Sequence, residues 1–376
     1  MHSQIGSKGM KSAKNILILT DWYHPGYKAG GPITSLYNLL HLVGSSLRPK
    51  LFTRNEDWFD STPYDLQTDS WLETDGAEIY YSSGRHFLKI INALGDARLV
   101  YLNGFYSAQF NSGPLIYLLL LKRNIQIVVA PRGMLGRHAL KLKSIKKKIL
   151  IKLLRFIGIE SRVIFHAAST GERDGILSIY PKATVSIVSN VPLKPLPVNK
   201  SFLSSSLIGV GRISRVKNTL SLIRLIKQFP DLTLNHVGSA DDRAYELQCK
   251  TMATQNINFI QGGNREQIQA HLASSGFFIS MTTGENFGHA IIEALGAGCP
   301  VIISDQTPWN DLESFGAGWV IPLDNVNRWS QVLKEASVMD AEGYSQMSKL
   351  AQEYVRQKFD FDDLRRQYLK LFQTGN

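Results

Sequence analysis

The chain has 376 residues, of which 44% are hydrophobic and 19% are charged. This length favours two domains over one, and this balance is typical of globular proteins and excludes disordered and fibrous classes. The net charge of +11 calls for a negatively charged partner, and nucleic acid, anionic lipid and phosphorylated small molecules all qualify.

The apolar runs are too short to predict a membrane span. The longest, from Leu115 to Leu121 and from Ile125 to Ala130, fall below the roughly 20 residues that a spanning helix needs. The apolar segment from Ile16 to Leu19 is too short for a signal-peptide core, so we expect a cytoplasmic location. Cys249 and Cys299 lack metal-ligand spacing with any other cysteine or histidine, so neither a disulfide framework nor a zinc site is predicted.

The first half of the chain alternates predicted strands and helices. It opens with a strand from Ile16 to Thr20, a loop that ends at Gly31 and an apolar-periodic helix from Pro32 to Val43. Strands that alternate with helices predict a parallel sheet covered on both faces. The further predicted strands are Leu51 to Thr53, Ile79 to Tyr81, Leu99 to Asn103, Ile125 to Ala130, Val163 to Ala167 and Thr184 to Val188.

The same pattern restarts after a segment rich in proline and serine, residues 192–206, which is predicted to be the interdomain linker. We expect one domain over residues 1–191, a second over residues 207–358, and a last helix in residues 359–376 that crosses back to the first domain. The predicted fold class is α/β, with two Rossmann-like domains that face each other across a cleft. The predicted strands of the second half are Leu207 to Val210, Thr233 to Val237, Ile257 to Ile260, Phe277 to Met281, Val301 to Ser304 and Trp319 to Ile321.

The segment TTGENFGHAIIEALGAGC, which begins at Thr282, carries the clearest chemical signal. Ligands of open parallel sheets bind beyond the carboxyl ends of the strands, so Glu285 and Gly288 should line a crevice. The N–H groups that start the following helix can bind a phosphate or a sugar hydroxyl. Glu293, just over two turns further on, is surrounded by apolar neighbours and needs a hydrogen-bond donor. The alternative is that Glu285 is a first-turn acid and Glu293 a helix-surface residue.

Two further segments favour a phosphate ligand. GVGRISRVKN follows a predicted strand and offers Arg212 as a planar fork and Lys217 as a point charge for phosphate oxygens. GYKAGGP places Gly30 and Gly31 before the first helix, where a diphosphate can approach the backbone. Taken singly, these segments also fit a solvated basic loop and an ordinary glycine turn.

Together, GGP after the first strand, GRISRVKN at the start of the second half and the E-x7-E pair Glu285 and Glu293 resemble glycosyltransferase family 4. The resemblance covers essentially the whole chain and is most specific at the E-x7-E pair and the EALGAGCPVI that overlaps its end. The segments WYHPGYKAGGPITSLYNLL, APRGMLGRHALKLKSIKKK and TPWNDLESFGAGW further resemble a subgroup that builds bacterial O-antigen, capsule or exopolysaccharide. The resemblance implies the GT-B fold and a glycosyltransferase that retains the anomeric configuration.

The family pattern also implies roles for the second-domain residues. Glu293 would bind the ribose hydroxyls of a nucleotide-sugar donor, and Arg212 and Lys217 would hold its diphosphate. Glu285 and the backbone of Phe287, Gly288 and His289 would hold the donor sugar. A hexose carried on UDP is favoured.

The first domain is expected to supply the rest of the site. Gly30 and Gly31 would close on the donor phosphates. Many relatives have a histidine near the reacting sugar, at a place where this chain has Arg132. No Asp-x-Asp motif stands where a divalent metal would bridge the phosphates, so we expect transfer without a metal or other cofactor. The predicted acceptor-side residues are Asn103, Phe105, Tyr106 and Arg132.

A basic stretch from Arg137 to Arg155, RHALKLKSIKKKILIKLLR, interleaves eight Lys or Arg residues with Leu and Ile at roughly helical spacing. This pattern fits an anionic membrane surface, which would place the protein peripherally on the inner face of the cytoplasmic membrane, beside a lipid-linked glycan acceptor. The alternative is a solvated helix that packs its Leu/Ile face on the core.

Two other classes of protein stay open. A basic, two-lobed protein without catalysis would bind nucleic acid or anionic lipid through the same stretch. Only Phe156 supplies an aromatic ring there, so no nucleic-acid partner is expected. An epimerase or a phosphorylase of the same fold is disfavoured by the E-x7-E spacing, which belongs to the transferase pattern.

Overall fold

The computed structural model describes residues 15–74, 76–122, 124–136, 145–195 and 205–373. Residues 196–204 of the predicted linker and residues 137–144 of the basic stretch lie outside the described residues. The described chain contains two sheets, one of eight strands and one of six. The predicted α/β fold with two parallel-sheet domains is confirmed.

The first sheet has the strand order β3-β4-β2-β1-β5-β6-β7-β8 and is parallel except for the pair β3 and β4. Its central strands read as continuous apolar runs because helices cover both faces of the sheet. All four residues of β1 and all five of β5 are buried. The strands are β1 (Ile16–Leu19), β2 (Lys50–Arg54), β3 (Trp71–Thr74), β4 (Ala77–Ser82), β5 (Leu99–Asn103), β6 (Gln126–Ala130), β7 (Val163–Ala167) and β8 (Thr184–Ile187).

Helices pack on the two faces of this sheet and form two apolar clusters. One cluster contains Leu115, Leu154 and Ile176 and the other contains Leu36 and Leu39, so the first crossover helix covers one face of the sheet and the later crossovers cover the other. The helices of this half are α1 (Gly31–Leu47), α2 (His86–Ala93), α3 (Ser112–Leu121), α4 (Ile145–Phe156), α5 (Ile159–Arg162) and α6 (Thr170–Ile179).

The second sheet is parallel throughout, in the order β11-β10-β9-β12-β13-β14. Its strands are β9 (Ser206–Val210), β10 (Thr233–Val237), β11 (Ile257–Ile260), β12 (Phe277–Ser280), β13 (Val301–Ser304) and β14 (Gly318–Ile321). Its helices are α7 (Thr219–Ile226), α8 (Arg243–Met252), α9 (Arg265–Ala273), α10 (His289–Gly296), α11 (Leu312–Phe315), α12 (Val326–Ser337) and α13 (Ala341–Lys358).

The antiparallel edge strand β3 was not predicted from the sequence. It pairs with β4 in the register Trp71 to Tyr80, and its four residues are half-buried or exposed. A hairpin partner needs only a short connection, whereas the parallel strands need a helical crossover. Such a short, half-exposed strand lacks the apolar run by which the buried strands are recognised.

The last helix, α14 (Phe361–Gln373), packs most of its buried residues on the first sheet, while Leu364 near its start joins an apolar cluster of the second domain. Tyr368, Leu371 and Phe372 are each at most 2% exposed and join the cluster beneath α1. The Tyr368 hydroxyl donates to the Ser189 carbonyl at 3.0 Å, just beyond the end of β8. The end of the described chain is therefore anchored on the first domain.

Among the described helices, none combines the length and the apolar character needed to cross a lipid bilayer.

Candidate active site

The two second-domain motifs meet where β9 and β12 end. The Thr283 N–H donates to the Val216 carbonyl at 2.7 Å, and the Thr282 hydroxyl donates to the same carbonyl at 3.2 Å. The Lys217 ammonium forms an ion pair with the Glu285 carboxylate, across 68 positions in sequence. The carboxyl ends of β9 and β12 lie at the same edge of the parallel sheet, so the loops that follow these two strands lie close together.

A glycine determines where Lys217 lies. Gly211 has a φ of +144°, and a Cβ at this position would lie 3.0 Å from Lys217 Cε. The positive φ makes glycine necessary at this point, and a side chain there would also crowd the lysine. Arg212 follows directly, with its guanidinium donating to Asp241 at 3.3 Å and 44% of its side chain exposed. Arg212 and Lys217 therefore bring two positive charges to one edge of the second sheet.

The start of α10 is built to receive an oxygen-rich ligand. Gly288 is its N-cap with a φ of +78°, and no side chain caps the helix. A Cβ at Gly288 would lie 3.0 Å from Ile291 Cδ1, so the close turn requires glycine. The preceding Phe287 is held by its carbonyl, which accepts from Trp309 Nε1 at 2.5 Å. The uncapped N–H groups of such a helix end favour a phosphate or hydroxyl ligand.

Glu293 lies just over one turn from the start of α10 and is half-buried. Burial raises the pKa of its carboxyl to about 7, and the positive charge of Arg265 only partly opposes this rise. A carboxylate in such a place is stabilised by a ligand that donates hydrogen bonds to it. Hydroxyl groups of a bound ligand would meet this need.

The first domain faces this region through the start of α1. Gly30 is the N-cap of α1 with a φ of +68°, and a Cβ on Gly31 would lie 3.3 Å from His289 Cδ2. Ser35 Oγ and His289 Nε2 form a hydrogen bond of 2.7 Å between the domains. Burial and the positive charges of Arg132 and Lys217 lower the pKa of His289 to about 3, so the imidazole is neutral. The first turns of α1 and α10 are thus in contact.

Arg132 belongs to a hydrogen-bonded cluster at the carboxyl edge of the first sheet. Its Nε donates to Asn103 Oδ1 at 2.7 Å, its Nη2 to the Tyr101 hydroxyl at 2.9 Å, and its Nη1 to Asn190. Asn103 is only 5% exposed, and its amide nitrogen donates to Thr20. Asn103 therefore supports Arg132, which is half-buried and is the less buried member of the pair.

Of the two remaining acceptor-side candidates, Phe105 is only 1% exposed and packs in the core of the first domain. Tyr106 is half-buried and lies edge-on to it, with ring centroids 5.1 Å apart. The Lys147 ammonium of α4 lies 4.6 Å from the Tyr106 ring centroid. The structure therefore places Tyr106 beside the basic helix and Phe105 away from the surface.

A buried carboxylate that the sequence did not single out links the domains. Glu172 is 6% exposed and accepts from Gly133 N at 2.6 Å, Ala168 N at 2.8 Å and Asn286 Nδ2 at 3.2 Å. It stands three residues after the N-cap Ser169, in the pattern of a capping box, which marks a helix start but not a contact across domains. The sequence around Ser35 gives no comparable indication that this residue has a special role.

The described residues thus place Arg212, Lys217, an uncapped helix start and the glycine loop on facing edges of two parallel sheets. Positive charges and free backbone N–H groups in such an arrangement are able to stabilise negative charge on a phosphate group. No group of three His, Cys, Asp or Glu side chains within the described ranges is placed to hold a metal ion. The two-domain architecture and its facing sheet edges define the GT-B fold class.

Comparisons with known proteins agree with this class. Residues 204–354 match the model of the family described as Glycosyl transferases group 1, which places a glycosyltransferase group 1 domain over the second sheet. The poly(glycerol-phosphate) alpha-glucosyltransferase of Bacillus subtilis is 26% identical over 180 residues, which are 45% of this chain and 26% of that protein. The chain thus spans about a quarter of the length of this curated relative.

Two solved structures match almost the whole chain. Sucrose-phosphate synthase from Thermosynechococcus elongatus is 16% identical and has a TM-score of 0.70 over 96% of this chain and 98% of its own. HepE of Anabaena in complex with UDP and glucose is 15% identical and has a TM-score of 0.70 over 96% of this chain and 100% of its own. At these identities the similarity shows the fold.

Proposed function

We propose that this protein is a retaining glycosyltransferase of family 4 that moves a hexose from a nucleotide-diphosphate donor, with UDP favoured, to a glycan acceptor in surface-glycan synthesis. The observation that carries the proposal is the meeting of Lys217 with Glu285 beside the uncapped start of α10. Two matches point the same way by name, since one is an alpha-glucosyltransferase and another contains UDP and glucose.

In the proposed site, the donor lies along the carboxyl edge of the second sheet. Glu293 accepts hydrogen bonds from the ribose hydroxyls, and Arg212 and Lys217 hold the diphosphate. Glu285 and the backbone at Phe287 to His289 hold the sugar. Gly30 and Gly31 approach the phosphates from the first domain, and the position of Gly31 supports this because a Cβ there would lie only 3.3 Å from His289 Cδ2.

The reaction breaks the bond between the anomeric carbon and the diphosphate oxygen, and the bonding electrons leave with the diphosphate. An acceptor hydroxyl oxygen forms the new bond to the anomeric carbon, and its proton passes to an oxygen of the departing diphosphate. The ring passes through oxocarbenium character, while Arg212 and Lys217 stabilise the charge on the departing diphosphate. We propose attack from the face that the leaving group vacates, without a protein nucleophile and without a metal.

We further propose a lipid-linked or polysaccharide acceptor of the O-antigen, capsule or exopolysaccharide kind, met at the inner face of the cytoplasmic membrane. Arg132 is the proposed acceptor-side cation, with Asn103 supporting it. Helix α4 supports the membrane proposal because it exposes an apolar stripe between lysines. The exposed apolar residues of α4 are Ile145 at 76%, Ile149 at 60%, Leu153 at 42% and Phe156 at 88%.

This stripe argues against the alternative in which α4 packs its whole apolar face on the core. Only Leu154 of the helix is buried. Residues spaced by four positions share one side of a helix, so Ile145, Ile149 and Leu153 form a continuous strip. Exposed apolar residues beside lysines are typical of a helix that lies in a membrane interface.

The first experiment tests donor binding. The purified protein is mixed with UDP-, GDP- and dTDP-sugars in the presence of EDTA, and thermal stabilisation and slow donor hydrolysis are measured without acceptor. We expect one nucleotide sugar to stabilise the wild type and the variant Glu293→Ala to lose this effect. Glu246→Ala is the matched control, because Glu246 lies in the same domain and forms a surface ion pair with Lys250.

The alternative is a basic protein that binds nucleic acid or anionic lipid without catalysis. A wild type that responds to no nucleotide sugar, yet binds an oligonucleotide or anionic vesicles in a strongly salt-dependent manner, would favour that alternative.

A further inference from the structure

An aromatic ring of the first domain lies against the arginine proposed to hold the donor diphosphate. Arg212 Cζ is 4.6 Å from the centroid of the Trp58 ring, and Trp22 meets Trp58 edge-on at 6.4 Å. Trp58 comes from the loop after β2, and Arg212 comes from the loop after β9. The contact therefore spans the two domains at the proposed donor site.

The loop that carries Trp58, residues 55–60, is also fastened to the glycine loop. The Asp57 carboxylate is 4% exposed and accepts from Tyr27 N at 2.8 Å and Lys28 N at 3.0 Å through one oxygen. Its other oxygen accepts from Trp58 N at 2.7 Å. An ion pair of 2.6 Å joins Lys28 to Asp60. One short loop thus contacts both elements proposed to surround the diphosphate.

The chemistry of this contact suits a phosphate-binding arginine. A guanidinium that packs on an aromatic face keeps the N–H donors at its own edge available for phosphate oxygens. Among the described residues, the Arg212 guanidinium donates a hydrogen bond to Asp241. With 44% of its side chain exposed, Arg212 would otherwise sample many rotamers, and ordering them would cost binding free energy.

We infer that Trp58 is a positioning residue for the donor, which holds the Arg212 guanidinium towards the diphosphate when the two domains are together. The inference rests on the proposed function and adds a residue of the first domain to donor binding. Because Asp57 ties the same loop to Tyr27 and Lys28, the contact also couples the glycine loop to Arg212.

The test compares two replacements of Trp58. Isothermal titration measures the affinity for uridine and for UDP, with GDP or dTDP and their nucleosides used instead if the wild type binds one of those diphosphates. Trp58→Leu keeps an apolar side chain but removes the ring, and we expect it to weaken diphosphate binding about three- to tenfold. Trp58→Phe keeps an aromatic face and should stay within about twofold of the wild type. Nucleoside affinity should not change in either variant.

Two controls separate positioning from a general structural effect. Trp71→Leu removes a ring that lies 5.0 Å from the Lys50 ammonium on the edge strand β3, and it should leave diphosphate binding unchanged. In an Arg212→Leu background, Trp58→Leu should cause no further loss, because its partner is already absent. Urea unfolding of each variant checks that the fold is retained.

Each outcome decides a different claim. Equal diphosphate affinities for the wild type and Trp58→Leu would overturn the inference, as would an equal loss of nucleoside affinity. A further loss in the Arg212→Leu background would also overturn it. A wild type that binds no nucleoside diphosphate would instead refute the proposed function.

Discussion

Glu293 combines a half-buried position with a pKa raised to about 7. Ribose hydroxyls donate hydrogen bonds, so the ionised carboxylate is the form that binds the donor. At pH 6 most molecules carry the protonated form, and at pH 8 most carry the ionised form. We expect UDP affinity to be about tenfold weaker at pH 6 than at pH 8, as measured by isothermal titration.

The variant Glu293→Gln is the control for this pH dependence, and its weaker binding should be the same at both pH values.

The free energy of unfolding changes with pH in the direction opposite to UDP affinity. The folded protein holds the Glu293 proton more tightly than the unfolded chain does, so this residue lowers the free energy of unfolding as pH rises from about 4.5 through about 7. A wild-type affinity that does not vary between pH 6 and 8 would contradict the assigned role.

Lys217 is expected to act mainly on the transition state, because negative charge on the diphosphate grows as the sugar departs. Replacing Lys217 with alanine should lower kcat/KM for transfer by about 10²- to 10³-fold, the usual loss when one preorganised charge donor is removed. Steady-state kinetics measure this loss, with the nucleotide sugar that the donor-binding experiment identifies.

Lys250→Ala serves as the comparison for Lys217→Ala, because Lys250 also pairs with a glutamate in the second domain but lies on the surface of α8. Its kcat/KM should equal that of the wild type. If Lys217→Ala raised KM and left kcat intact, Lys217 would contribute to ground-state binding alone.

At the scale of a single element, α4 is the helix whose sequence allowed two interpretations. Its exposed stripe leads us to expect binding to phosphatidylcholine vesicles only when they also contain phosphatidylserine, and less binding as salt increases. Ile149→Glu combined with Phe156→Glu should weaken vesicle binding at least about tenfold, since each buried apolar side chain contributes about 1.5–3 kcal/mol. Vesicle co-sedimentation measures the effect.

Leu247→Glu is the matched control for this experiment, because Leu247 is 66% exposed but lies on α8 of the second domain. Its vesicle binding should equal that of the wild type. If the α4 variant binds vesicles as tightly as the wild type does, this helix is not the attachment surface.

At the scale of the whole molecule, α14 packs in the same apolar cluster as β1, so both ends of the described part of the chain contribute to the core of the first domain. Phe372 is 2% exposed and lies 5.6 Å from Tyr101, ring centroid to ring centroid. Phe372→Ala should lower the free energy of unfolding by about 3–5 kcal/mol, because it leaves a cavity in the first domain. Urea unfolding measures the change, and the exposed Lys370→Ala should shift it by less than about 0.5 kcal/mol. A Phe372→Ala protein as stable as the wild type would mean that α14 does not anchor on this core.

Much of the fold could be predicted because its signals are local. The predicted bounds of β5, β7, β10, β11 and β13 coincide with the observed strands, since each is a run of four or five residues rich in apolar and β-branched side chains and is recognised without knowledge of the rest of the chain. The E-x7-E segment could likewise be recognised, because its glycines and acids lie within a single strand-loop-helix unit. The edge strand β3 could not, because its pairing with β4 leaves almost no apolar pattern.

The sequence by itself determined two α/β units, their order and the candidate residues at the carboxyl ends of the strands. Only the tertiary structure decided which of these residues meet. The ion pair of Lys217 with Glu285, the hydrogen bond of Ser35 with His289 and the contact of Trp58 with Arg212 all join distant parts of the chain. The physical reason is that periodicity and turn chemistry act over a few residues, whereas a site between two domains depends on how their sheets are oriented.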